Sequence, residues 1–112
     1  MAFDPGIINQ PQVEWKQPQE KLDRGVDFTD RLSGETSITL LSVTAVDTAD
    51  GSDATAAIIS SNPPPLVLPG TKTVQFRMQG GTTGKVYKVS VRAQGASGQV
   101  AEFDLELNVH EF

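Results

Sequence analysis

The chain of 112 residues has no cysteine, one histidine, one tryptophan and one tyrosine. Without cysteine it can form neither disulfides nor thiolate zinc sites. The single histidine, His110, has no second histidine or cysteine as a partner, so zinc centres and Cys–His catalysis are excluded too. No apolar run is long enough to cross a membrane as a helix. We therefore expect no cofactor, no metal and no membrane partner.

Basic residues are also scarce, because 9 Lys and Arg face 14 Asp and Glu, which gives a net charge of -5. This sign repels phosphate backbones and anionic lipid surfaces, so nucleic acid is not an expected partner. The N-terminal segment lacks the basic start and apolar stretch of a secretory signal. We expect the protein to be made and folded in a cytoplasm.

Residues 1–20 differ in composition from the rest, with three prolines and four glutamines. Prolines remove backbone donors and disfavour a helix, so this segment is predicted to be an extended arm before a domain at residues 21–112. Trp15, the only tryptophan, lies in this arm. It either anchors on a neighbouring subunit or closes one end of its own sandwich, and the general burial of tryptophan favours the second.

The clearest strands are Lys85–Gln94 and Val100–Val109, in which apolar and polar residues alternate. A Gly-Ala-Ser-Gly turn at residues 95–98 joins them, which predicts an antiparallel hairpin. Both apolar faces must lie on one side, and this limits the register. One allowed register sets these pairs opposite each other: Val89 and Leu105, Val91 and Phe103, Lys88 and Glu106, Arg92 and Glu102.

Further short strands complete the prediction. Thr73–Gln79 alternates, whereas Ser37–Asp47 changes phase near Leu40, which indicates a bulge or a strand covered on both faces. Ala54–Ser60 is a weaker candidate strand. Six or seven short strands separated by turns predict an all-β, two-sheet antiparallel β-sandwich.

The glycine-rich stretch GGTTGK at residues 80–85 is similar to a phosphate-binding loop but lacks its spacing. Gln79 stands where the first glycine should be, and Val86 where a hydroxyl should follow the lysine. A strand follows the stretch instead of a helix, so we interpret it as a turn. Tyr87 then lies where it forms either a tyrosine corner, with its hydroxyl bonded to nearby backbone, or a plain core residue.

Three acids, Asp47, Asp50 and Asp53, lie close together in a stretch rich in Ser, Thr and Gly. Calcium binds such hard oxygen ligands, and this would fit a calcium-stabilised adhesin repeat. The alternate spacing and distal glutamate of an EF-hand are absent, and a solvated turn has the same composition. The turn is the favoured interpretation.

Three segments carry a family resemblance: residues 22–38, with the sequence LDRGVDFTDRL followed by GETSI, the turn at 80–87, and the last hairpin at 98–109. They resemble small immunoglobulin-like proteins of tailed phages and prophages, of the fibre–tail adaptor type. The chain departs from them at Phe28, where a tryptophan or tyrosine is common, and at Arg31, where another aromatic is expected. The resemblance implies an immunoglobulin-like fold and a non-enzymatic structural protein of the virion, made in the bacterial host cytoplasm.

The resemblance also implies that the partners are other phage structural proteins, namely tail, neck or fibre subunits. Four residues are the candidates for partner contact: Trp15, Asp27, Phe28 and Asp30. Local capping by the two acids and a core position for Phe28 are the structural alternatives. A closed homo-oligomer is the default expectation for assembly. The runner-up function is a carbohydrate- or receptor-binding module, which would need a cluster of exposed aromatic rings.

Overall fold

The computed structural model describes residues 7–8 and 12–111. These residues form eight strands and one short helix, in the order β1 (Ile7–Ile8), β2 (Val13–Lys16), β3 (Leu22–Asp27), β4 (Ile38–Asp47), α1 (Thr55–Ile58), β5 (Leu66–Val67), β6 (Thr73–Met78), β7 (Val86–Gly95) and β8 (Val100–Val109). Within the described residues, no helix has the length and apolarity needed to cross a membrane.

The strands form two four-stranded sheets, in the order β1-β3-β6-β5 and β2-β8-β7-β4. Neighbouring strands are antiparallel except β1 beside β3 and β2 beside β8, which are parallel. Strands β3, β6 and β5 thus take the places of B, E and D of an immunoglobulin domain, and β4, β7 and β8 those of C, F and G. The predicted immunoglobulin-like sandwich is confirmed.

The core lies between the sheets and is built from alternate residues of the long strands. Phe28, just beyond β3, meets Phe103 of β8 edge to face, with ring centroids 5.5 Å apart. Such aromatic pairs add about 0.5–1.5 kcal/mol beyond the area they bury. The largest fully buried apolar side chains are Phe28, Phe76, Leu32, Ile58, Met78 and Leu107.

The predicted hairpin register is confirmed, because β7 and β8 pair with all four predicted partners opposite each other. On the outer face Arg92 lies 3.5 Å from Glu102, whereas Lys88 reaches diagonally to Asp104 at 3.8 Å rather than straight across. The predicted irregularity in β4 is also confirmed, since its pairing with β7 shifts between Leu40 and Ser42.

The predicted strand at Ala54–Ser60 is wrong, because Thr55–Ile58 is a one-turn helix. Asp53 accepts hydrogen bonds from the backbone N–H and the hydroxyl of Thr55, which bends the chain at this point. Ile58 and Ile59 are both buried, so the segment lacks the alternation of a half-buried strand. Only Ile59 bridges to β6, at Met78.

The prediction of an extended arm over residues 1–20 needs correction in its later part. Val13–Lys16 is extended, but it is the edge strand β2 of a sheet, paired with β8. Trp15 is 56% exposed, so it does not close an end of the sandwich. Residues 1–6, 9–11 and 112 lie outside the described residues. A separate arm over the first residues therefore stays a prediction.

Candidate partner-binding surface

Two large apolar side chains stand side by side on the outer face of the sheet that contains β2. Val13 and Trp15 are 53% and 56% exposed. They are in register with Glu106 and Asn108 of β8. Side chains alternate along a strand, so the residues between and after them turn towards the interior. We call Val13, Trp15, Glu106 and Asn108 the Trp15 patch.

Contacts from the inward side chains of β2 fix this strand in place. Glu14 forms an ion pair with Arg24 of β3, in the other sheet, at 2.9 Å. Lys16 is fully buried, and its Nζ donates to the carbonyl oxygens of Gln17 at 2.7 Å and Gly80 at 2.5 Å. Burial lowers the pKa of Lys16, and the nearby Glu20 opposes this shift. The residues before and after Trp15 thus both fix the strand that carries it.

A shallow groove of about 420 Å³ runs from the Trp15 patch across the outer face of the sheet. Val13 and Glu106 line it at one side, and Lys88 and Asp104 line it further along. The Oδ1 atom of Asp104 is closed off from solvent, and the described part of the chain offers it no hydrogen-bond partner. Glu106 accepts a hydrogen bond from Nδ2 of Asn108 at 3.1 Å. The groove therefore combines an apolar rim with two carboxylates, of which Asp104 has an oxygen without a hydrogen bond.

The second group of predicted residues lies in the turn after β3. Asp27 accepts hydrogen bonds from the N–H and the hydroxyl of Thr29, at 2.9 and 2.6 Å, as expected for local capping. Phe28 is 0% exposed and belongs to the core, and this burial argues against the predicted contact with a partner. Asp30 is exposed. As contacts of a partner, Asp27 and Asp30 stay predictions.

The structure does not bring Trp15 together with this turn. Trp15 lies beside Asn108, whereas Phe28 contacts Phe103 on the same strand. Five residues along a strand span about 17 Å. The predicted residues therefore belong to two separate surfaces. Beside Asp27 is an open cleft of about 690 Å³ whose lining includes several hydroxyl groups, among them those of Thr36 and Thr71.

The glycine-rich stretch at residues 80–85 lies in the connection between β6 and β7, and its last part is a turn in which the N–H of Lys85 donates to the carbonyl oxygen of Thr82. At Gly81, where φ is +94°, a Cβ atom would lie 2.7 Å from Cγ2 of Val109. The glycine is thus required by close packing against β8. The hydroxyl of Tyr87 accepts a hydrogen bond from the backbone N–H of Thr82 at 3.1 Å, which confirms the predicted tyrosine corner.

The three acids of the loop after β4 are engaged by local donors. Asp47 accepts from Lys85 at 2.6 Å, Asp50 from the N–H of Ser52, and Asp53 from Thr55. These hydrogen bonds lower the pKa of all three carboxyl groups. Over residues 12–111, no group of three or more acids or histidines is arranged to hold a metal ion. The contacts are those of a turn.

The aromatic side chains are distributed unevenly between core and surface. Phe28, Phe76, Tyr87 and Phe103 are buried, so Trp15 is the one exposed ring among the described aromatic residues. A module that binds sugars by stacking would need several such rings. A single exposed tryptophan beside a valine on a fixed strand is instead typical of the anchor of a protein–protein contact.

Comparison with protein families gives the class of the chain. Residues 16–108 match the family described as Podophage GP4 fiber-tail adaptor protein gp77. The chain belongs to this family. The resemblance drawn from the sequence is thus confirmed, and the matched residues include all of the sandwich from β3 to β7. The gp77 family is one of structural adaptors. A search among curated proteins finds no match.

The sequence did not indicate three members of the Trp15 patch as partner contacts: Val13, Glu106 and Asn108. Val13 alternates with Glu14 like a strand residue, but the parallel pairing of β2 with β8 joins segments about 90 residues apart. The alternation along the hairpin predicts that Glu106 is exposed to solvent. The residues near it in the sequence do not indicate that Trp15 would lie diagonally beside it. The sequence indicated only which face of its strand each residue would occupy.

Proposed function

We propose that the chain is a non-enzymatic adaptor of a phage particle, which joins tail and fibre subunits by docking as a rigid sandwich. Membership of the gp77 family supports the adaptor role. The observation that supports a docking mechanism is the exposed Trp15 patch on β2. Two sheets with a continuous core provide a stiff body, so contacts on separate surfaces can be held at a constant spacing.

The Trp15 patch is suited to carry much of the binding energy of one contact. Tryptophans at the centre of an interface are frequent hot spots, and truncation of one commonly weakens binding by about 2 kcal/mol or more. The backbone at Trp15 need not be ordered on binding, because its strand is fixed by the Glu14 and Lys16 contacts. A preorganised anchor loses less entropy than a flexible one.

Reconstitution of fibre attachment tests this proposal. Phage particles are prepared without this protein, and purified protein is added back together with fibres. Fibre attachment is then counted by electron microscopy. We expect the unaltered protein to restore attachment and Trp15→Ala to require at least about tenfold more protein for the same effect, as loss of a hot spot implies.

Leu41→Ala serves as the matched control, because Leu41 is an exposed apolar residue on the opposite edge strand of the same sheet. It should restore attachment like the unaltered protein. Attachment of fibres in the absence of the protein would refute the adaptor role. Equal activity of Trp15→Ala would leave the adaptor role intact but remove the Trp15 patch from it.

A further inference from the structure

We propose that the Trp15 patch and its groove receive an arginine side chain from the partner protein, an inference that rests on the proposed adaptor function. Trp15 and Val13 supply the apolar part of the surface, and Glu106 and Asp104 supply its charge. Each of these parts favours a cation that carries apolar or planar surface.

The outer face of β7 and β8 has one carboxylate too many for its own cations. Three acids occupy every second position on this face of β8, namely Glu102, Asp104 and Glu106. Two cations face them from β7, Lys88 and Arg92. Arg92 pairs with Glu102 and Lys88 with Asp104. Glu106 has no ion pair among residues 12–111, although it lies directly between Val13 and Lys88. The unmatched negative charge is thus the one that adjoins the patch.

Asp104 shows that the groove is also short of hydrogen-bond donors. Its Oδ1 is inaccessible to solvent and unbonded within the described chain, while the other oxygen, Oδ2, is 3.8 Å from Nζ of Lys88. The Asp104 side chain is 42% exposed, so Oδ2 is the oxygen that an N–H donor from a partner can reach, and its distance to Lys88 is longer than a hydrogen bond.

The tryptophan favours arginine over lysine. A guanidinium group can stack flat on an indole ring and still offer several N–H donors in its plane. Trp15 and Glu106 are diagonal neighbours across the β2–β8 pair, at a separation of about 7–8 Å that a long side chain can span. The methylene stem of the arginine would then lie against Val13. An ammonium group offers no planar face to the ring.

Fluorescence provides the test, because Trp15 is the only tryptophan in the chain. The full-length protein is titrated with a short synthetic peptide that has one arginine between two leucines. The same peptide with citrulline, which is neutral and nearly equal in shape, is titrated in parallel. We expect a change in Trp15 emission with both peptides and about tenfold tighter binding of the arginine peptide, as charged hydrogen bonds provide.

Variants localise the effect. The Glu106→Gln, Asp104→Asn double variant should lose the preference for arginine, while Glu102→Gln, on the same strand and face, should keep it. Circular dichroism confirms that each variant has the β-sheet signal of the parent. Equal binding of the two peptides, absence of an emission change, or a preference that survives the double variant would overturn the inference. Fibre attachment that depends on Trp15 could still hold in each of these cases, so the adaptor function is judged separately.

Discussion

At each end of the sandwich a buried charged side chain forms hydrogen bonds with a turn, and the two side chains have opposite charge. At one end the buried ammonium of Lys16 donates to carbonyl oxygens, including that of Gly80 in the turn between β6 and β7. At the other end the carboxylate of Glu35, only 9% exposed, accepts from the N–H and the hydroxyl of Ser97 in the β7–β8 turn. In both cases one charged side chain ties a turn to a segment that is distant in the sequence.

The two ends differ in what the charge does to stability. Hydrogen bonds from Ser97 lower the pKa of Glu35, so the fold favours its charged form. Burial lowers the pKa of Lys16, so the fold disfavours its charged form, and the negative charge of Glu20 offsets this only in part. The charge of Glu35, which accepts from N–H and O–H donors, thus stabilises the fold, whereas the buried ammonium of Lys16 carries a desolvation cost.

The largest expected effect is the difference in stability between variants that lack the buried ring of Phe28 and the exposed ring of Trp15. Phe28→Ala removes a fully buried ring that packs against Phe103, and should lower the free energy of unfolding by about 3–5 kcal/mol. Trp15→Ala removes an exposed ring and should change it by no more than about 0.5 kcal/mol. Urea unfolding followed by circular dichroism measures both changes. A loss of similar size in the two variants would contradict the division into core and docking residues.

A smaller effect is expected where Glu35 crosses the backbone at Gly95. A Cβ atom at Gly95 would overlap Cδ of Glu35, so Gly95→Ala must displace that side chain from Ser97. Overpacking of this kind costs about 1–3 kcal/mol. In a Glu35→Ala background the same substitution should cost clearly less, because the clash is gone. Strictly additive losses in this double-mutant cycle would show that Glu35 is not the residue displaced.

The smallest expected effect is the pH dependence of the contributions that Glu35 and Lys16 make to stability. The stability that Glu35 contributes should be present above its ordinary pKa of 4.5 and be lost as the pH falls through its lowered pKa. The penalty on Lys16 should be present at neutral pH and disappear as the pH rises towards 10.5, so stability should increase there. Urea midpoints of the parent are compared across pH with those of Glu35→Gln and Lys16→Met, which do not titrate.

The difference between parent and Glu35→Gln should therefore shrink in acid, whereas the stability of the parent relative to Lys16→Met should rise in alkali. A pH-independent difference for either variant would mean that the residue acts through packing and not through charge. Because each variant is compared with the parent at the same pH, titration of the remaining groups largely cancels.

Much of the sandwich could be predicted because its signals are local. Alternation in β7 and β8 defines one buried face each, and the short turn between them leaves few registers. The phase change at Leu40 indicated the irregularity of β4, and Tyr87 with the glycine turn indicated the corner. In each case neighbouring residues carry the whole pattern.

The candidate surface could not be predicted in the same way. The exposure of Trp15 depends on the pairing of β2 with the far end of the chain, and on Lys16, not Trp15, being the residue that turns inward. A proline-rich segment with little periodicity gives no indication of this. At Ala54–Ser60 a single hydrogen-bonded aspartate overrode a weak strand propensity.

The sequence by itself determined that this protein is an all-β sandwich without cysteine chemistry, since a period of two and the absence of a residue type are properties of the chain alone. Only the tertiary structure decided which large side chains remain outside. Burial of a residue in an edge strand depends on the partner strand and its register, and for β2 that partner lies at the other end of the chain.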